Sequence, residues 1–243
     1  MYIDRRKEIK ENLENIKKDI KQNQIPGYSE PQLVCVTKNF PLEDLLIANE
    51  LGQKIFAENR VQELLEKQTT FANLPDDLKQ KYDFKWHFIG TLQRNKVRDI
   101  VGIVDLIHSV HDLKILRRID TVSKQRDLIS EVLIQVNVTE EKSKHGFLIK
   151  ELDDVILATK ELDNVKLRGL MTMAPFFEKD EVHKSQAIFA KLRELLEKYQ
   201  KELTKDFNQL SMGMSADYVY ALEEGTTLIR IGTDIFGKRN YNL

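Results

Sequence analysis

The chain has 243 residues, enough for one large domain or two small ones with a substantial core. Its 38 Lys and Arg against 39 Asp and Glu leave a formal net charge of -1, which gives no electrostatic footprint for nucleic acid or an anionic membrane. The single cysteine, Cys35, excludes an intramolecular disulfide, the charged opening MYIDRRKEIKENLE is not an apolar signal segment, and no run reaches transmembrane length, so a cytoplasmic protein is expected.

Taken in order, residues 2 to about 23 carry a stripe of Ile9, Leu13, Ile16 and Ile20 among lysines, the pattern of an amphipathic helix. NQIPGYSEP is a breaker-rich turn. From there short β-like runs alternate with helical ones: QLVCVT with LEDLLIANEL, KIFA with RVQELLEKQ, FKWHFIG with QRNKVRDIV, and VDLIHSV with LKILRRIDTVSKQ. The series continues with ISEVLIQVNV and IKELDDVILATKEL, VKLRGLMTM and EVHKSQAIFAKLRELLEKYQ, NQLSM and ADYVYALEEG, and closes on TTLIRIG, the eighth run. Strands alternating with helices imply parallel pairing through right-handed crossovers. Eight such units predict an α/β fold, a single (β/α)8 barrel of the TIM type over residues 1–243, with the first helix extra to it. The long stretch TTFANLPDDLKQKYD, 69–83, reads as a connection that retains some helix, and PFFEKDEVHK as a loop leading into the helix after it.

Chemistry in such a barrel gathers at the C-terminal ends of the strands, with phosphate often held by the loops after strands seven and eight. Lys38 ends the first run, just before Pro41; position alone leaves it either a solvated strand-end residue or a group in the barrel mouth. In LSMGMSAD, 210–217, Gly213 lets the backbone approach a ligand, and Ser215 can cap a helix beginning near Ala216 while offering hydroxyl and amide to an anion. Gly232 and Thr233 in LIRIGTDIFG can do the same. Arg230 is the lone charge in LIRIG and needs a partner inside the barrel, either a structural ion pair or a polar ligand atom. A lysine, a phosphate cup and an arginine between them describe a site for a phosphorylated aldehyde, and pyridoxal 5'-phosphate (PLP) fits all three parts.

The motifs VTKNFP, AENRVQE, WHFIGTLQRNK, IHSV, IQVNVTEEKSKHG, LRGLMTMAP, LSMGMSADY and IRIGTDIFGKR run through nearly the whole chain. Together they resemble the pyridoxal phosphate homeostasis proteins, relatives of the N-terminal barrel of alanine racemase with the fold-type III PLP-binding architecture. The resemblance implies that Lys38 forms a Schiff base with PLP, that Ser215, Gly232 and Thr233 hold the phosphate, and that Arg230 faces the pyridine nitrogen. It also places Asn59 close to the cofactor and Met212 among the cofactor-binding residues. Arg60 stands where the family often has an aromatic residue, and TLQRNK where PLQSNK is common. The implied role is a monomeric carrier that keeps the free aldehyde low and supplies PLP to PLP-dependent apoenzymes without efficient catalysis. A PLP-dependent amino-acid racemase and a Schiff-base aldolase are the competing functions. Racemisation would need a second proton-transfer group, which alanine racemases take from a further C-terminal domain; the chain ends at IFGKRNYNL, and Tyr218, Tyr220 and Tyr241 are the candidates left to substitute.

His87 in KWHFIG alternates with its neighbours and reads as a barrel-interior histidine, Cys35 as a small core side chain. His108, His111, His145 and His183 look scattered, and no metal site is expected. The loop TEEKSKHGF, 139–147, carries Lys142, Lys144 and Gly146 on the ligand face, as a plain solvated loop or a mobile basic lid.

Overall fold

The computed structural model of the chain describes residues 2–237; Tyr241 lies outside them. Helix α1 (Tyr2–Asn23) leads to strand β1 (Gln32–Val36), after which strands and helices alternate: α2 (Leu42–Glu50), β2 (Ile55–Glu58), α3 (Val61–Ala72), α4 (Asp76–Lys79), β3 (Lys85–Phe88), α5 (Val97–Ile100), β4 (Leu106–Val110) and α6 (Leu113–Gln125). The second half comprises β5 (Ser130–Gln135), α7 (Leu152–Thr159), β6 (Val165–Met171), α8 (Ser185–Gln200), β7 (Gln209–Met214), α9 (Tyr218–Glu223), β8 (Leu228–Ile231) and α10 (Thr233–Phe236). The strands form a closed barrel in sequence order, and β8 closes on β1 with Val34 opposite Arg230. Every strand pair is parallel.

Both faces of each strand are covered, which is why the strand segments read as near-continuous apolar runs. Leu33, Cys35, Phe56, Ile107, Val132, Leu170 and Met212 belong to the thick layer between sheet and helices. Val34, Ile55, Ala57, Leu106, Leu133, Met171 and Leu228 form a second, smaller cluster inside the barrel. The predicted stripe of α1 is buried as a set, Ile9, Leu13, Ile16 and Ile20, each such burial contributing about 1.5–3 kcal/mol relative to exposure. Polar contacts fix its pose: Arg5 donates to Asp44 and to the Phe236 carbonyl, and Asn12 to the Ile235 carbonyl. The 69–83 segment ends α3 and retains the single turn α4, and the region after β3 yields only a 3-10 turn and α5. No helix among the described residues is long and apolar enough to cross a membrane.

Candidate functional site

At the C-terminal rim, β1 stops at Val36 and the chain turns through Thr37, Lys38 and Asn39, the last with φ 63°. Lys38 is half-buried there, and both its neighbours are clamped. Thr37 donates its N–H to the Ala57 carbonyl at 3.1 Å and its hydroxyl to Glu58 Oε1 at 2.6 Å. The Asn39 N–H donates to Glu63 Oε1 at 2.5 Å. Lys67, reaching in from α3, donates to the Thr37 carbonyl at 2.6 Å, Glu58 Oε1 at 2.5 Å and Glu63 Oε1 at 3.1 Å. An ammonium has three N–H groups, so these three acceptors use its full donor set. Burial pushes the Glu58 carboxyl up to about 7, against the pull of Lys67, and its Oε2 has no hydrogen-bond partner. This clamp was missed from the sequence; AENRVQE followed by Lys67, four residues after Glu63 on one helix face, was its only local signal.

Asn59 follows β2 on the same rim. A Cβ at Gly90 would lie 1.9 Å from the Asn59 carbonyl oxygen, so the loop after β3 packs directly on the Asn59 backbone and needs a glycine there. The Asn59 Oδ1 is buried and has no partner.

The loops after β7 and β8 meet, by a different route from the one the sequence suggested. Ser215 does not cap a helix at Ala216: α9 begins at Tyr218, Asp217 takes the Met214 N–H at 2.6 Å, and the Ser215 side chain lies near enough to Asp234 on the next loop to oppose the burial that raises its carboxyl pKa. Burial raises the carboxyl pKa of both Asp217 and Asp234. Gly213 has φ 87°, and a Cβ on it would strike the Ala221 Cβ at 2.6 Å, so it makes room for α9 rather than for a ligand. Gly232 does mark a close approach, its Cβ position lying 2.8 Å from the Val36 carbonyl, two residues before Lys38. Thr233 is exposed beside it. Met212 is fully buried between sheet and helices, and its carbonyl accepts the Thr226 hydroxyl at 3.0 Å. Its side chain therefore faces away from the barrel interior.

Arg230 is buried within the barrel, its Nη1 donating to Ser211 Oγ at 2.6 Å and Nη2 to the Thr172 carbonyl at 3.0 Å. Of the two partners the sequence left open, the ion pair is not formed among the described residues; Asp217 acts on it only at a distance. Burial lowers the guanidinium pKa to about 10, which leaves it charged at neutral pH.

His87 is a satisfied interior histidine, 2.9 Å from His108. The histidines are less scattered than their spacing implies, because the His111 and His145 rings also meet, tilted at 52° with centroids 5.1 Å apart. Among the described residues no group of three or more His, Cys, Asp or Glu is arranged to hold a metal ion. The 139–147 loop is tied down: Gln135 donates to the His145 carbonyl at 3.0 Å, Asn137 to the Glu141 carbonyl at 2.9 Å, and Lys144 lies 3.1 Å from the Glu141 carboxylate. Beside it a cavity of about 280 Å³ opens among Lys144, Met173, Phe177, Met214 and Asp217.

A closed eight-stranded parallel barrel with this rim defines a class of protein, the barrel of the alanine racemase type. The model of the family "Alanine racemase, N-terminal domain" matches residues 5–240. The alanine racemase of Clostridium difficile superposes with a TM-score of 0.71 over 97% of this chain and 58% of its own, at 16% identity, and so shares the fold. Nearer relatives narrow the class. The pyridoxal phosphate homeostasis protein of Aquifex aeolicus is 40% identical over 86% of this chain and 88% of its own length, and that of Vibrio cholerae is 38% identical over 96% and 98%. The PipY protein of Synechococcus elongatus, whose structure is known with PLP bound, is 33% identical with a TM-score of 0.80, covering 94% of this chain and 100% of its own. The chain belongs to the pyridoxal phosphate homeostasis protein family.

Proposed function

We propose that the protein binds PLP at the C-terminal rim of the barrel, with Lys38 as the Schiff-base lysine, and acts as a carrier and buffer of PLP. The observation that carries this reading is Arg230, a buried guanidinium whose hydrogen-bond partners among the described residues, Ser211 and the Thr172 carbonyl, are neutral, with Asp217 acting only at a distance. Such a charge calls for a polar acceptor on a ligand, and a pyridine nitrogen supplies one. The orphaned Asn59 Oδ1 is a second buried polar atom that a ligand would satisfy. Ser215, Gly232 and Thr233 would hold the phosphate, chiefly through hydroxyls and backbone N–H groups. Met212 would add only packing behind β7. Bound there, the cofactor supplies an aldehyde that exchanges reversibly between amines.

The residues of this chain favour storage over turnover. A permanent cation at Arg230 disfavours protonation of a nearby pyridine nitrogen, which weakens the ring as an electron sink. Tyr218, a candidate second proton-transfer group, donates its hydroxyl to Asp19 of α1 at 2.9 Å, and burial raises its pKa well above the usual value. The clamp of Glu58, Glu63 and Lys67 ties down the backbone on either side of Lys38. The whole chain, 1–243, acts on this reading as one cytoplasmic, monomeric unit that passes PLP to PLP-dependent apoenzymes. Incubation of the PLP-loaded protein with L-alanine separates the alternatives: the carrier reading predicts negligible racemisation. Turnover at an ordinary enzymatic rate of about 1 to 10³ per second, lost in Lys38→Ala, would establish the racemase instead, and a lysine adduct formed with sugar phosphates but not PLP would establish the aldolase.

A further inference from the structure

Four polar side chains run through the barrel interior from the rim to the opposite face, and all are buried: Arg230 at 3% exposure, Ser211 and His108 at 0%, and His87 at 5%. Arg230 Nη1 lies 2.6 Å from Ser211 Oγ, Ser211 Oγ 2.7 Å from His108 Nδ1, and His108 Nε2 2.9 Å from His87 Nδ1. The direction of these bonds follows from one end. A guanidinium has donors only, so Ser211 accepts from Arg230. The Ser211 hydroxyl proton then has a single acceptor among its partners, His108 Nδ1, which must be bare. His108 therefore carries its proton on Nε2 and donates it to His87 Nδ1. That leaves His87 with its proton on Nε2, at the N-terminal face of the barrel, where Gln32, Lys85, Asp105 and Gln209 line an opening. The reverse arrangement would strand the Ser211 proton in a buried site with no acceptor, at the full desolvation cost of that group.

We propose that Ser211 and His108 are positioning residues for Arg230, forming with His87 a one-way hydrogen-bonded chain that locks the guanidinium against β6 and β7 and fixes both imidazoles as neutral Nε2–H tautomers. Burial supports the neutral state, pushing the His87 pKa down to about 3 and that of His108 well below the usual value, with the Arg230 charge adding to the effect on His108. The proposal deepens the PLP reading only in what Arg230 faces; the chain itself is a property of the protein without cofactor.

The test uses the 15N-labelled full chain free of PLP. Long-range 1H–15N spectra at neutral pH should show two of the five histidines as Nε2–H tautomers with buried shifts, assigned through His87→Gln and His108→Gln. The Arg230 guanidinium should give separate, slowly rotating Nη signals that merge in a folded Ser211→Ala variant and return in Ser211→Thr. With PLP added, Ser211→Ala should shift the absorption band and weaken binding about tenfold, with Ser211→Thr restoring both. A protonated Nδ1 or an imidazolium at His108 in the wild type would overturn the direction of the chain. Unchanged Arg230 signals in folded Ser211→Ala would overturn the positioning role. If the wild type bound no PLP, the cofactor reading would fall while the tautomers and guanidinium signals still decided this one.

Discussion

Acidification probes the barrel interior directly. His87 is 5% exposed, and burial holds its pKa at about 3 against an ordinary 6.5. Below 6.5 the unfolded chain takes up a proton at this residue that the folded chain refuses, so the stability His87 contributes above that value is lost as pH falls toward 3. The slope is ~1.4 kcal/mol per pH unit, and between pH 7.5 and 5.0 the loss amounts to about 2 kcal/mol. His87→Gln keeps a carbonyl to accept from His108 and removes the titrating ring, so its stability should fall by about 2 kcal/mol less than that of the wild type over the same interval. Glu58 acts in the opposite sense: its carboxyl is raised from 4.5 to about 7, so its contribution is present at low pH and is lost as pH rises through 7. That term is common to both proteins and cancels in the difference. Urea unfolding followed by the fluorescence of the buried Trp86 measures each free energy. Parallel stability-against-pH curves for wild type and His87→Gln would mean that His87 protonates freely in the folded barrel, and the account of its interior would be wrong.

Lys67→Met leaves the Glu58 carboxyl and the Thr37 carbonyl without their shared donor; breaking a buried pair on one side should cost about 3–5 kcal/mol, and a loss under about 1 kcal/mol by urea unfolding would show the pair to be an incidental contact. Ser215→Ala combined with Thr233→Val should weaken PLP binding at least tenfold, ~1.4 kcal/mol, without moving the absorption band, since neither residue faces the ring on this reading; wild-type affinity in a titration would place the phosphate elsewhere. The Cys35 thiol is fully buried and raised well above its usual pKa by desolvation, so it should react with disulfide reagents only after unfolding; prompt labelling of the native protein would contradict its core position.

The barrel was legible because its segments keep the two periodicities apart. Strands such as QLVCV and LIHSV are short apolar runs buried on both faces, and α1 shows its stripe of Ile9, Leu13, Ile16 and Ile20 at helical spacing. Lys38 and Arg230 could be placed because each is a charge where a strand leaves little room for one. What stayed hidden depends on distance along the chain. The partners of Thr37 lie 21 and 30 residues away, His108 meets Ser211 across 103, and the helix that Ser215 was expected to cap begins only at Tyr218. The direction of Met212 could be read locally: with Ser211 turned inward toward Arg230, the two-residue period of a strand sends the Met212 side chain outward.

The central claim is a covalent one, and borohydride reduction tests it most directly. PLP added to the purified wild-type protein should produce a near-ultraviolet to violet band, and reduction followed by peptide mapping should find the pyridoxyl group on Lys38, in the peptide containing VTKNFP. Lys38→Ala should fold and lack the band. A pyridoxyl group on another lysine, or a band that persists in Lys38→Ala, would contradict the assignment of the rim of this barrel as the cofactor site.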